Sequence, residues 1–190
     1  PGAVNMETLL KGVCDKTNFM DLLENFILFD ESSGETKKIL GRNHQFLGVN
    51  LAIQAVRDRK AREGKLGVYW HTQGAGKSYS MVFFTRKIHR KLGGNFTFVI
   101  LTDRDDLDTQ IYKTFAGCDV VDHDRDPCRA ASGTHLSQLL SEQKSHIFSL
   151  IQKFNLEVDP DEGYTQRDDI IVITDEAHRT QYGTLSLNMR

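Results

Sequence analysis

A chain of 190 residues can hold one well-formed core, burying roughly 70% of the surface its unfolded form exposes. With 39% hydrophobic residues, 26% charged residues and three prolines it has the composition of an ordinary globular protein. A net charge of −2 supplies no bulk basicity to attract nucleic acid or membrane, although a local groove can be basic while the whole is not.

The cysteines, Cys14, Cys118 and Cys128, are odd in number, widely spaced and without a C-x-x-C pair. They predict reduced thiols rather than a disulfide framework or a zinc site. The opening "PGAVNMETLL" has neither the basic head nor the apolar run of a signal peptide. The apolar runs "FTFVIL" and "IIVI" fall far short of the roughly 20 residues that span a bilayer. A soluble, cytoplasmic protein with no membrane partner is expected.

Along the chain, "NFMDLLENFILF" (18–29) places Phe19, Leu22, Leu23, Phe26 and Ile27 at helical spacing, with Asn18 able to cap the start. "DESSGETKK" (30–38) reads as a linker or exposed turn. A second helix is expected from Gln45 to about Arg62. "LGVYWH" (66–71) reads as a short buried strand, followed by a glycine-rich loop and a helix over 76–91. "FTFVILT" (96–102) predicts a strand, and Thr102 or Asp103 opens the helix through "LDTQIYKTF". "CDVV" (118–121) is a weaker strand, "THLSQLLSEQ" a short helix and "HIFSL" a strand leading into "IQKF". The acidic stretch 155–169 reads as a surface loop before the strand "IIVIT" (170–174). The basic groups Arg57, Arg59, Lys60, Arg62 and Arg86, Lys87, Arg90, Lys91 read as solvated helix ends. Strands alternating with helices predict an α/β fold, a mostly parallel sheet covered on both faces, with the continuous apolar run "IIVI" fit for a central position.

The loop "HTQGAGKS" (71–78) carries the first chemistry. A phosphate cradle needs backbone N–H groups converging on an anion, hence glycines where a Cβ would intrude or φ must be positive. It needs a helix starting at once, so that its N-terminus faces the phosphates. It also needs a lysine for the terminal phosphates and a hydroxyl for Mg²⁺. Gly74 and Gly76, the helix beyond them, and Lys77 with Ser78 meet these demands, and Gln73 and Ala75 complete the turn. His71 stands where the usual pattern has its first glycine, at the strand's end and away from the phosphates.

The second chemistry is "IIVITDEAH" (170–178). An acid at the carboxyl end of a buried strand beside the loop's strand is placed to hold Mg²⁺, which assigns Asp175 to the metal and Glu176 to polarising the attacking water.

Asp175-Glu176-Ala177-His178 spells the DEAH box of superfamily 2 helicases and translocases, whose loop also tolerates a residue other than glycine at the place of His71. With "HTQGAGKS", "LTDRDDLDTQ", "LIQKF" and "DEAHRTQYG" in this order, the chain from about Asn18 onward resembles the first RecA-like motor lobe of the R subunit of type I restriction-modification enzymes. The family more often has threonine before Ile-Gln-Lys-Phe, where this chain has Leu150. The resemblance implies ATP and Mg²⁺ as cofactors, with Gln45 reading adenine and Lys77 clamping the β- and γ-phosphates. It implies DNA-backbone contacts by Arg104 and Gln152, and coupling to the other motor lobe by His178, with Gln181 and Tyr182 lining the same cleft. It further implies double-stranded DNA, methyltransferase and specificity subunits as partners, and a bacterial or archaeal cytoplasm.

On the same ground, residues 1–40 are expected to form a helical linker from an upstream domain, and residues 41–190 a truncated first lobe. The second lobe and nuclease domain are expected elsewhere, so that this stretch alone hydrolyses ATP poorly. The rival readings are another superfamily 2 DNA or RNA helicase, a self-contained nucleotide switch or kinase, and a docking module.

Overall fold

The computed structural model describes residues 6–121, 127–154, 165 and 167–175. They fall into two compact units, residues 1–87 and 88–190.

The first unit contains helix α1 (Met6–Gly12), helix α2 (Lys16–Asn25), strands β1 (Ile27–Asp30) and β2 (Lys37–Leu40), helix α3 (Asn43–Arg57) and the start of helix α4 (Lys77–Lys91). The helix expected over 18–29 starts earlier and stops sooner. Asp15, rather than Asn18, caps α2, its carboxylate accepting from the Thr17 and Asn18 N–H groups at 3.0 Å. After Phe26 the chain turns extended, and Ile27–Asp30 pairs antiparallel with Lys37–Leu40. The expected linker 30–38 is thus largely the turn of a hairpin, with Gly34 in the left-handed region at φ 84°. Phe26 is fully buried, its ring 4.8 Å from Phe46 and 5.4 Å from Phe83. Burying such a side chain contributes about 2–3 kcal/mol. Val49, Ile53, Val56 and Val82 complete this core.

Two expectations in this unit are corrected. Residues 66–71 do not form a strand. Extended backbone becomes a strand only when a neighbour accepts its hydrogen bonds, and Val68 and Trp70 instead stand 84% and 88% exposed. Lys87 is also no solvated helix end. It is buried, donating to Asp21 Oδ1 and Oδ2 at 2.5 and 2.6 Å and to Asn50 Oδ1 at 2.5 Å, which joins α2, α3 and α4.

The second unit holds the end of α4, strand β3 (Thr97–Thr102), helices α5 (Asp105–Gly117) and α6 (Gly133–Ser141), strand β4 (His146–Leu150), a 3-10 turn (Ile151–Phe154) and strand β5 (Ile170–Thr174). Its sheet is wholly parallel, in the order β4-β3-β5, with Phe98 opposite His146 and Ile171. This is the expected α/β arrangement of a parallel sheet flanked by helices. Every residue of β3 is buried, as a central parallel strand requires. Alternation of side chains along it sends Val99 and Leu101 to a cluster with Leu136, Leu139 and Leu140 of α6. Phe98 is sent to the other face, where its ring stacks on His146 at 5.4 Å.

The expected strand 118–121 is instead the cap and turn that follow α5. Cys118 caps that helix, Asp119 sits at φ 54°, and the Val120 N–H returns to Phe115 O at 3.0 Å. Nor is β5 central among the described residues: it pairs with β3 alone, and Val172 is 43% exposed. Helix α5 begins at Asp105, after Arg104 in the cap position and without a side-chain cap. The expected helix at 134 onward is α6, capped by Ser132 Oγ. Cys14, Cys118 and Cys128 form no disulfide. Among the described residues no helix is long and apolar enough to cross a membrane.

Candidate nucleotide-binding site

The glycine-rich loop sits in the first unit. The Ala75 N–H donates to Thr72 O at 3.2 Å, closing a turn that leaves Gln73 and Gly74 exposed. Gly74 and Gly76 adopt φ 77° and 85°, where an L side chain is strained. A Cβ on Gly74 would meet nothing within 4 Å, so the turn opens onto free space on that side. Helix α4 starts directly after Gly76, placing Lys77 and Ser78 in its first turn. The first-turn N–H groups of a helix have no acceptor inside it, and the dipole there favours an anion. Two left-handed glycines, a fifteen-residue helix, a lysine and a hydroxyl are therefore brought together at one turn, and this donor set fits a Mg²⁺-bound polyphosphate.

Behind the loop lies Gln45, 3% exposed. As the third residue of α3 it accepts from the Arg42 N–H at 2.9 Å, half of a capping box. Its amide nitrogen donates to Gly76 O at 3.0 Å and Ser80 Oγ at 3.2 Å. Ser80 Oγ in turn donates to Gly76 O at 3.2 Å. The Gln45 amide oxygen is thus engaged at the start of α3 and its nitrogen in tying α3 to the loop, and a contact with adenine requires it to exchange some of these bonds.

Sequence reasoning missed the aromatic residues in front of the loop. The Tyr69 ring stacks on His71 at 4.3 Å, and His71 lies 4.7 Å from His44. His44 Nε2 reaches Ala75 O at 3.1 Å, which requires the proton on that nitrogen. Burial first, then the nearby His44 and Lys77 charges, hold His71 below the ordinary imidazole value. The one legible signal was Gly48, an isolated glycine inside a helical pattern, which often marks a close approach.

The second unit carries the other candidates. The carboxyl ends of its three parallel strands share one edge, where ligands bind in open α/β sheets. Asp175 directly follows β5, and its N–H donates to Leu101 O at 2.9 Å. Arg104 follows β3, is exposed, and lies 3.8 Å from the Asp103 carboxylate. Gln152, in the 3-10 turn after β4, donates to Asp103 O at 2.9 Å. Arg104 and Gln152, forty-eight positions apart in sequence, are thus brought to the same edge, as Thr102 pairs with Leu150 in register. Glu176, His178, Gln181 and Tyr182 lie outside the described residues.

Comparison with known proteins agrees with this chemistry. The chain is 37% identical over 187 residues to the type I restriction enzyme HindI endonuclease subunit of Haemophilus influenzae, covering 94% of this chain and 18% of that protein. It is 35% identical over 196 residues to the "Putative type I restriction enzyme MjaIXP endonuclease subunit" of Methanocaldococcus jannaschii, covering 98% of this chain and again 18% of the relative. The chain thus spans under a fifth of the length of these relatives. The SWI2/SNF2 ATPase family model matches residues 44–190, from the helix that backs the loop through the acidic motif at 175–178, and the chain belongs to that family of ATPases.

Proposed function

We propose that this chain is the ATP-binding first motor lobe of a type I restriction endonuclease R subunit. In the intact protein it couples Mg·ATP hydrolysis to translocation of double-stranded DNA before cleavage by a separate nuclease domain. The observation that carries this reading is the loop itself: Gly74 and Gly76 left-handed, immediately ahead of Lys77 and Ser78 at the start of α4. Similarity to two restriction endonuclease subunits supports the restriction system over other motors of the same superfamily.

In this reading the α4 N-terminus and the loop N–H groups bind the phosphates, and Lys77 neutralises charge on the β- and γ-oxygens. Ser78 and Asp175 would be the ligands of Mg²⁺, which would supply charge neutralisation on the phosphates. Glu176 orients the attacking water, and His178 passes the nucleotide state to the second lobe. Gln45 serves the nucleotide from behind, by fixing the Gly76 carbonyl and Ser80. Arg104 and Gln152 contact the DNA backbone at the strand ends, where a cation gives position rather than sequence. Methyltransferase and specificity subunits supply the address on DNA, and the complex works in a prokaryotic cytoplasm.

The test is Lys77→Ala in the intact polypeptide. DNA-stimulated ATP hydrolysis and translocation are expected to disappear together. Hydrolysis persisting at the parent rate overturns the assignment of the loop.

A further inference from the structure

Three groups on the first two turns of α3 point at the loop segment: Gln45, already described, and His44 and Gly48, which are four residues apart and so share a face of the helix. Glycine in the middle of a fifteen-residue helix is out of place, destabilising it by about 1 kcal/mol relative to alanine. Space explains it. A Cβ on Gly48 would lie 2.2 Å from Cε2 of Tyr69 and 2.8 Å from its Cζ and hydroxyl oxygen, so the Tyr69 ring rests directly on the helix backbone.

From that seat a continuous path leads to the loop and back. Tyr69 stacks nearly parallel to His71, with 14° between the planes. His71 packs against His44, and His44 holds the Ala75 carbonyl inside the glycine turn. The Tyr69 hydroxyl also meets the Ser80 side chain, the same group that Gln45 grips. Residues 66–71 have no strand partner among the described residues, and the turn beyond them contains two glycines at positive φ. The rings do the work that sheet pairing does elsewhere. His71, where the usual phosphate-loop pattern has glycine, supplies the middle ring.

We propose that Tyr69, His71 and His44, seated on Gly48, are positioning residues that hold the Thr72–Gly76 turn in its anion-receiving shape before the nucleotide arrives. This rests on the reading of the loop as a triphosphate site. A turn ordered beforehand binds more tightly because less freedom is lost on binding.

The test measures binding of a non-hydrolysable Mg·ATP analogue by the intact polypeptide, and separately KM and kcat for ATP. His71→Ala and Tyr69→Ala are expected to weaken binding about fivefold, the worth of one aromatic pair, with KM rising and kcat at saturation kept. His71→Phe, which preserves a ring, restores binding to within about twofold of the parent. Gly48→Ala weakens binding in the parent background, although it favours the helix, and has no such effect in the Tyr69→Ala background. Should Gly48→Ala fail to fold, the His71 pair decides.

Parent-like binding by His71→Ala, or equal weakening by His71→Ala and His71→Phe, overturns the proposal while a defect in Lys77→Ala leaves the loop assignment standing. Parent-like binding by Lys77→Ala overturns both.

Discussion

Gln45 offers the sharpest test of what the structure adds. Replacing it by alanine removes the acceptor of the Arg42 N–H and the donor to Gly76 O and Ser80 Oγ. Arg42 is exposed, so its N–H turns to water and that loss is small. The Gly76 carbonyl keeps Ser80 as a partner through both the backbone N–H and the hydroxyl, so it is not orphaned. One buried and one part-buried bond at about 1 kcal/mol each, with the small loss at the helix cap, give about 2–3 kcal/mol of local stability. That corresponds to an increase of about 30- to 150-fold in the opening equilibrium of the segment. Hydrogen exchange of the intact polypeptide is expected to report this at the amides of residues 43–48 and 76–80, with binding of ATP and GTP analogues weakened in parallel. A side chain devoted to reading adenine behaves differently. If Gln45→Ala leaves exchange at the parent rate but abolishes preference for ATP over GTP, the clamp is refuted and the amide must face the base.

Three further outcomes rest on other contacts of the fold. Lys87→Met strands the Asp21 carboxylate beside Asn25 and Asn50 and is expected to destabilise by about 3 kcal/mol in urea unfolding, most of it recovered in Lys87→Met/Asp21→Leu. Burial opposes ionisation of Asp21, but its bonds from Lys87, Asn25 and Asn50 prevail and lower its pKa. The pair's contribution is therefore present above the unfolded carboxylate value and lost as pH falls through the lower folded one. His146, buried among Phe98, Phe115 and His89, is held down to about 3 by burial first and by His89 second. The unfolded chain takes up a proton below about pH 6.5 that the native state refuses, so stability falls by about 2 kcal/mol between pH 7.5 and 5; His146→Phe is expected to flatten that slope, as followed by urea unfolding at each pH. Arg104→Ala is expected to lower the slope of log affinity for duplex DNA against log salt by about 1, without changing sequence preference. An unchanged slope removes Arg104 from the DNA contact.

Much of this protein is written locally. The alternation of apolar runs with amphipathic stretches already carries the α/β class, because a residue period of 2 or 3.6 follows from backbone geometry alone. The loop chemistry is equally local: Gly74, Gly76, Lys77 and Ser78 are neighbours in the chain, and a helix must follow them for the glycines to be useful. The strands 97–102, 146–150 and 170–174 were legible for the same reason. What the sequence could not settle depends on partners far along the chain. Whether "LGVYWH" becomes a strand depends on a neighbouring backbone, and without one the same residues stay irregular with Trp70 in solvent. Lys87 looks like any surface cation until folding brings Asp21, sixty-six residues earlier, to its ammonium group. Gly48 looks like a helix defect until Tyr69 fills the space that its missing side chain leaves. Periodicity and spacing are properties of a short window, whereas ion pairs, ring stacks and sheet neighbours exist only once distant segments meet, and that was for the tertiary structure to decide.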